Sequence, residues 1–485
     1  MKHPPLAHSA AGPVLSNGNA RRRDFLKTGA AAVTGLLAGC ERSAAPVPSS
    51  LPGPSAAPPV PLPEKLWNLS ELAPPPDWDL LEPWQESITA AGFRHLVENI
   101  LTEGTAFWST VEQRPERALI RRSTTRADFP RFELRFAPEP AAAAGSGAVS
   151  TRPAVPVVAP EVAVGRPSAK YWRKASEMGP PPSPERALQG VRIALDPGHI
   201  GGAWAKMEGR WYQMGEAPPV MEGELTLKTA QILRPLLEAM GAIVMLVRET
   251  HEPLTSQKPE ALLREARESL LVSQGPSAIL TEPQILREAE RLFYRTSEIR
   301  TRGQRVNEVL QPDLVVCLHF NAESWGSDAG KPVFSTANHL HVIAHGCLDT
   351  AEFSCDDQRL DVLLRGLQGI PEEEIRLCDA VARQLALTTG LPPYTYTGRN
   401  ARKANDNPYL WLRNLLANRV YHCPVVFTEP YVMNNQEVFD RLQAGDYPGE
   451  REIAGKRHRS LFQDYAKGVA GGLKEAMLAA RGQRF

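Results

Sequence analysis

Residues 191–202 read Val191-Arg192-Ile193-Ala194-Leu195-Asp196-Pro197-Gly198-His199-Ile200-Gly201-Gly202. Val191, Ile193 and Leu195 alternate with Arg192 and Ala194, and Asp196-Pro197-Gly198 then break the run. The pattern predicts a buried strand ending in a turn, with His199 just beyond its carboxyl end. In open α/β sheets that edge is where ligands bind. Gly198, Gly201 and Gly202 allow a sharp bend and leave room beside the imidazole. One histidine in a turn is ordinary. Here three later strands end in the same way.

From about Leu188 to residue 482 the order is strand, helix, strand, repeated. A Gly- and Trp-containing loop (Gly201 to Met221) leads into a helix with Leu225, Leu227, Leu233 and Leu237 on its apolar positions, closed by Gly241 and predicted to kink at Pro235. Strands follow at Ala242–Val247, ending at Arg248, and at Asp313–Leu318, ending at His319-Phe320-Asn321-Ala322. A strand-like His341-Val342-Ile343, a helix over Glu372–Leu387, a strand over Pro424–Thr428 ending in Glu429, and a helix over Leu461–Ala480 complete the series. This predicts an α/β fold: a mixed, mostly parallel twisted sheet flanked by helices on both faces.

The rest of the 485 residues divides by composition. Arg22-Arg23 before a short apolar stretch reads as a twin-arginine export signal. The stretch ends in Leu37-Ala38-Gly39-Cys40, which looks like the lipobox of bacterial lipoproteins, with Cys40 as the lipidated residue. Residues 1–40 would then be an address, and the mature chain a lipid-anchored protein of the cell envelope or periplasm. The 44 prolines cluster, which marks spacers: residues 41–65 are Pro-rich, and 138–187 are rich in Ala, Pro and Gly. Between them, 66–137 form a small accessory region with a helical stretch and two short strands but no catalytic constellation. Lys+Arg and Asp+Glu are equal at 55 each, which removes the global field expected of a nucleic-acid binder.

His199, Arg248, His319 and Glu429 all follow short apolar strands, so parallel neighbours would bring them to one sheet edge. Two histidines and a carboxylate are a catalytic zinc ligand set that leaves one position for water. A second carboxylate, off the metal, is then needed to move the water's proton.

Residues 190–480 resemble the zinc-dependent N-acetylmuramoyl-L-alanine amidases. Ile193-Ala-Leu-Asp-Pro-Gly-His199 matches the family's first zinc histidine, and Glu222-Gly-Glu-Leu-Thr-Leu227 matches its Glu-x-Asp-Leu-x-Leu. Arg302 and Asn307 before Asp313-Leu-Val-Val-Cys-Leu-His319-Phe-Asn-Ala322 resemble the third-ligand strand, and Val425-Val-Phe-Thr-Glu429-Pro-Tyr-Val-Met-Asn434 the stretch holding the catalytic glutamate. The resemblance implies Zn²⁺ on His199, Glu222 and His319, with Glu429 as catalytic base; the strand-end position of Arg248 places it with Glu429 among the catalytic residues. Glu224 competes with Glu222, but the distances to Gly241 and Arg248 favour Glu222. It further implies hydrolysis of the amide between N-acetylmuramic acid and L-alanine, with peptidoglycan as substrate, a membrane reached through the anchor, no nucleic acid, and room for a protein activator. A non-catalytic or autoinhibited wall-binding lipoprotein of the same fold, or a zinc hydrolase of another amide, is the alternative.

The sequence departs from the family at Ile200, where glycine is usual, and at Pro430-Tyr431, which replace Gly-Phe. Thr250–Arg300 and Glu323–Tyr396 are longer than the family core needs, and the latter is open to two readings: a lid over the site, or an elaborated sheet edge with its helix in the core. The five cysteines after Cys40 lack CxxC spacing, so a structural zinc site is not expected. Cys317 and Cys423 read as core thiols, while Cys347 and Cys355 could pair in an oxidising compartment. His339, His341 and His345 read as a partly exposed strand face.

Overall fold

The computed structural model describes residues 66–139, 170–324 and 332–482. The export signal, Cys40 and the first spacer lie outside the described residues, as does most of the second spacer.

Seven strands form the central sheet: β1 (Arg192–Pro197), β2 (Ile243–Leu246), β3 (Leu314–Leu318), β4 (Leu340–Ala344), β5 (Arg402–Lys403), β6 (Leu410–Leu412) and β7 (Val425–Pro430). Their spatial order is β5-β6-β4-β7-β3-β1-β2. The run β7-β3-β1-β2 is parallel throughout, and β6 is parallel to β4. The exceptions are β4 against β7 and β5 against β6, both antiparallel. The sheet is therefore mixed and mostly parallel, as the strand–helix alternation predicted.

Burial on both faces explains the continuous apolar runs. In β3, Leu314, Val316 and Leu318 enter one core, and Val315 and Cys317 enter another. The first core lies under helices α1 (Glu222–Ala239), α5 (Ile370–Thr389) and α6 (Leu461–Ala480). Two helices, α2 (Leu263–Gln274) and α3 (Glu282–Arg291), pack on each other beside the sheet, and α4 (Asp356–Leu367) precedes α5. Helix α1 continues through Pro235.

Both long stretches acquire a place. In Thr250–Arg300, helices α2 and α3 and the turns flanking them build a small core of Leu262, Ala266, Ile285, Ala289, Leu292 and Phe293 around Ile200, which is fully buried. An isoleucine beside His199 thus has its own apolar pocket, supplied by the extra residues. The stretch after His319 supplies β4, which enters the sheet between β6 and β7, and α5, which packs along α6. In its described residues it is sheet and core, which favours the elaborated edge over the lid.

Residues 66–139 form a three-stranded antiparallel sheet (Val111–Gln113, Arg117–Arg121, Arg131–Arg135) and a short helix, Ala90–Leu96. Phe93, Leu96 and Leu101 share one core with Leu360, Leu363, Leu364 and Leu367 of α4.

Three expectations need correction. Residues 170–187, read as the end of a spacer, fold against the sheet: Trp172 is buried, and Arg173 donates to the buried Asp313 at 3.0 and 2.6 Å. His339, His341 and His345 are buried rather than partly exposed, because β4 is an interior strand. Cys347 and Cys355 are unpaired thiols, as are Cys317, Cys378 and Cys423. Among the described residues no helix is long and apolar enough to cross a membrane.

Candidate metal centre

The carboxyl ends of β1 and β3 and the first turn of α1 meet at one place. His199 follows β1 with φ of 59°. A non-glycine residue holds this left-handed conformation only when its surroundings impose it, and two buried arginines do so. Arg302 donates to His199 O at 2.8 Å and Pro197 O at 2.8 Å, and its charge is met by Asp196 at 2.9 Å and Glu298 at 2.8 Å. Arg248 donates to Pro197 O at 2.9 Å, Gly198 O at 3.1 Å and Gly223 O at 2.5 Å.

Arg248, expected among the catalytic groups, is bonded to the frame around them. Its guanidinium also reaches Thr250 O and Thr226 Oγ1, so every bond shown goes to backbone carbonyls or a hydroxyl of the surrounding frame. It joins the His199 turn to the start of α1.

Gly198 is required by a close approach. A Cβ there would lie 2.3 Å from Cε1 of His319. The His319 ring fits between this bare backbone and Phe427, on which it stacks with centroids 4.4 Å apart. Its backbone N–H donates to Thr428 O at 3.0 Å, in the β3–β7 ladder.

Glu222 lies between the two histidines. Its Oε2 is 3.2 Å from His199 Nε2, and its Oε1 is 3.3 Å from His319 Nδ1. Oε1 also accepts the Phe320 N–H at 3.1 Å. His199, Glu222 and His319 offer one ligand atom each, all within 4.8 Å of one another, and they form the one such group among the described residues. Glu224 is not part of it.

The donor set fits a metal ion. At zinc bond lengths of about 2.0–2.1 Å, a tetrahedral site has donor–donor edges of about 3.3 Å, close to the two separations here. Glu208 lies 3.8 Å from His199 Nδ1 and accepts the Ile200 N–H at 3.0 Å, the place of an outer carboxylate that orients a ligand histidine. Burial pushes Glu222 up, but His199, His319 and Arg210 outweigh it and hold the carboxyl well below its ordinary range. Burial lowers His199, and Glu222 and Glu208 more than reverse this, so it is raised overall. Arg210 lies 3.3 Å from Glu222 Oε2 and tempers the negative charge.

Glu429 is the penultimate residue of β7, next to β3. The Tyr465 hydroxyl ties the two strand ends together, 2.6 Å from Thr428 Oγ1 and 3.0 Å from His319 O. Burial raises that hydroxyl, and the charges of Glu429 and Glu222 add to the rise. His341 is a partner of Glu429, with Nε2 2.9 Å from Oε2. Sequence reasoning missed His341. The one signal was its alternation with His339 and His345, which becomes meaningful only once β4 is known to lie against β7.

No protein-family model and no curated protein matches the sequence. Among solved structures, Cwp6 from Clostridium difficile is 13% identical over 59% of this chain and 29% of its own length, with a TM-score of 0.32. The CwlD amidase from Clostridioides difficile, solved with the GerS lipoprotein, is 14% identical over 60% of this chain and 100% of its own (TM-score 0.33). The N-acetylmuramyl-L-alanine amidase Ami1 from Mycobacterium abscessus is 17% identical over 60% of this chain and 99% of its own (TM-score 0.33).

Proposed function

We propose that this chain is a zinc-dependent N-acetylmuramoyl-L-alanine amidase, which hydrolyses the amide between the lactyl group of muramic acid and the first alanine of the peptidoglycan stem. The observation that carries this is the convergence of His199, Glu222 and His319 at the carboxyl edge of the sheet, with Glu429 on the adjoining strand end.

His199, Glu222 and His319 would hold the ion, which when bound polarises a carbonyl and makes a water nucleophilic near neutral pH. Glu429, ionised, takes the water's proton at its carboxylate and delivers it to the departing alanine nitrogen, so that acid and amine leave neutral in total. Arg302 and Arg248 keep the His199 turn rigid, which preserves the spacing between ligands and base. The twin arginines at Arg22-Arg23 and the Leu37-Ala38-Gly39-Cys40 sequence support an exported, lipid-anchored enzyme facing the wall.

Mass spectrometry of zinc-loaded digests of purified sacculi tests the reaction. Free stem peptides with N-terminal alanine are expected. Fragments cut only within the glycan or within the stem would overturn the proposal. Glu429→Gln keeps the shape and cannot accept the proton, so kcat should fall roughly 10²–10⁴-fold while zinc content stays near wild type.

A further inference from the structure

We infer that His341 is a positioning residue for Glu429, in a tautomer set by the side-chain amide of Asn321. This rests on Glu429 being the general base.

Strands β4 and β7 pair with His341 directly opposite Glu429. His341 is completely buried, and its Nε2 lies 2.9 Å from Glu429 Oε2 and 3.0 Å from the Tyr396 hydroxyl. A neutral imidazole has one N–H, so whether His341 donates to Glu429 depends on which nitrogen carries it.

Asn321 decides. Its Oδ1 accepts the Ala322 N–H at 2.9 Å, and this fixes which end of the amide faces the rings. The Nδ2 end therefore points at His341 Nδ1, 3.4 Å away. An amide NH₂ can only donate, so Nδ1 is the acceptor and the proton sits on Nε2, facing Glu429. The same NH₂ lies 3.4 Å from Nδ1 of His339, whose Nε2 is 3.1 Å from Glu323 Oε1. One amide, two residues beyond His319, thus sets two histidines, each aimed at a carboxylate.

The group is walled by aromatic rings. Tyr394 lies 4.6 Å from His339 and 5.1 Å from His341 between centroids, and Arg413 donates to the Tyr396 hydroxyl at 3.3 Å. The charged and titratable groups around the pair include His339, Glu323, Tyr394, Tyr396 and Arg413, with Tyr465 on the Glu429 side. A donor fixed in such a setting limits rotation of the Glu429 carboxylate and favours its charged form.

The tautomer can be read directly by NMR on the full-length protein labelled with ¹⁵N-histidine, with His341 assigned by its loss in His341→Gln. Protonation at Nε2 alone is expected. A proton at Nδ1 alone overturns the inference, and this measurement needs no variant to be active. In kinetics on sacculi, His341→Leu should lower kcat roughly 10- to 100-fold, the range for outer residues that orient a reacting group, with little change in KM. The acid limb of its kcat profile should move to higher pH, because the charged form of Glu429 has lost a donor. His341→Gln, which keeps a donor, should recover part of the loss. If Glu429→Gln is inactive while His341→Leu matches wild type in kcat and pH profile, His341 has no positioning role and the general base stands. If Glu429→Gln is active, the general-base assignment itself has failed.

Discussion

Gly198 and His319 show how far one atom governs this site. The imidazole rests against a backbone with no room for a Cβ, so Gly198→Ala must displace the ring or the turn. The turn is held by Arg302 and Arg248, so the ring is expected to move. Metal analysis should find zinc sharply reduced in both Gly198→Ala and His319→Ala, with circular dichroism near wild type. Full occupancy in His319→Ala would remove that residue from the ligand set. Ile200, next to His199, is a departure from the resembled family that the structure explains, since residues 262–293 bury it completely.

Elements act through such contacts. Ile200→Ala leaves a cavity in the core shared with Leu262 and Phe293, at a cost of about 2–5 kcal/mol. A denaturant midpoint lowered accordingly, with faster amide exchange in α2 and α3, is the expected result; an unchanged midpoint would mean that this core collapses without penalty. Asp313 holds the start of β3 to β1 and to residues 170–174, accepting from Arg173 at 2.6 Å and from the Arg192 N–H at 2.9 Å. Burial raises its carboxyl, but the bonds from Arg173 and Arg192 prevail and hold it below the usual range. A depressed carboxyl contributes stability that is present above its unfolded pKa and lost as pH falls through the folded one. Asp313→Asn should therefore cost about 1–3 kcal/mol at pH 7, with the deficit shrinking below about pH 4. Thermal melts of both proteins from pH 7 to pH 3 measure this, and a deficit independent of pH would point to packing instead of charge.

On the scale of the molecule, residues 66–139 and α4 form one packed unit. Beyond the shared core, Asp356 accepts the N–H groups of Asn68 at 2.7 Å and Thr124 at 3.0 Å, and Arg359 donates to Arg121 O at 3.0 Å. Removing residues 66–139 would expose Leu360, Leu363, Leu364 and Leu367 together, a contiguous apolar patch of the kind that drives association. A chain beginning at residue 170 should bind a hydrophobic dye or aggregate. A soluble monomer with unchanged melting would show that α4 is stable without its cover.

The sequence by itself determined the alternation of strand and helix, the central strands β1, β2, β3 and β7, and the groups at their ends. Each of these is local: apolar runs buried on both faces need only their own composition to be recognised, and a histidine after a strand needs only its neighbours. The C-terminal helix near Leu461 to Ala480 was legible in the same way, and its Ser460 cap is seen in the structure. What faces what belonged to the tertiary structure. Strands β5 and β6 have two and three residues, too few for periodicity to register. Arg248 has the strand-end position of a reacting group, and only the carbonyls around it show that it supports a turn. The same holds for His341. Nothing along the chain links it to Glu429, 88 positions away by number; the antiparallel register of two strands puts imidazole against carboxylate.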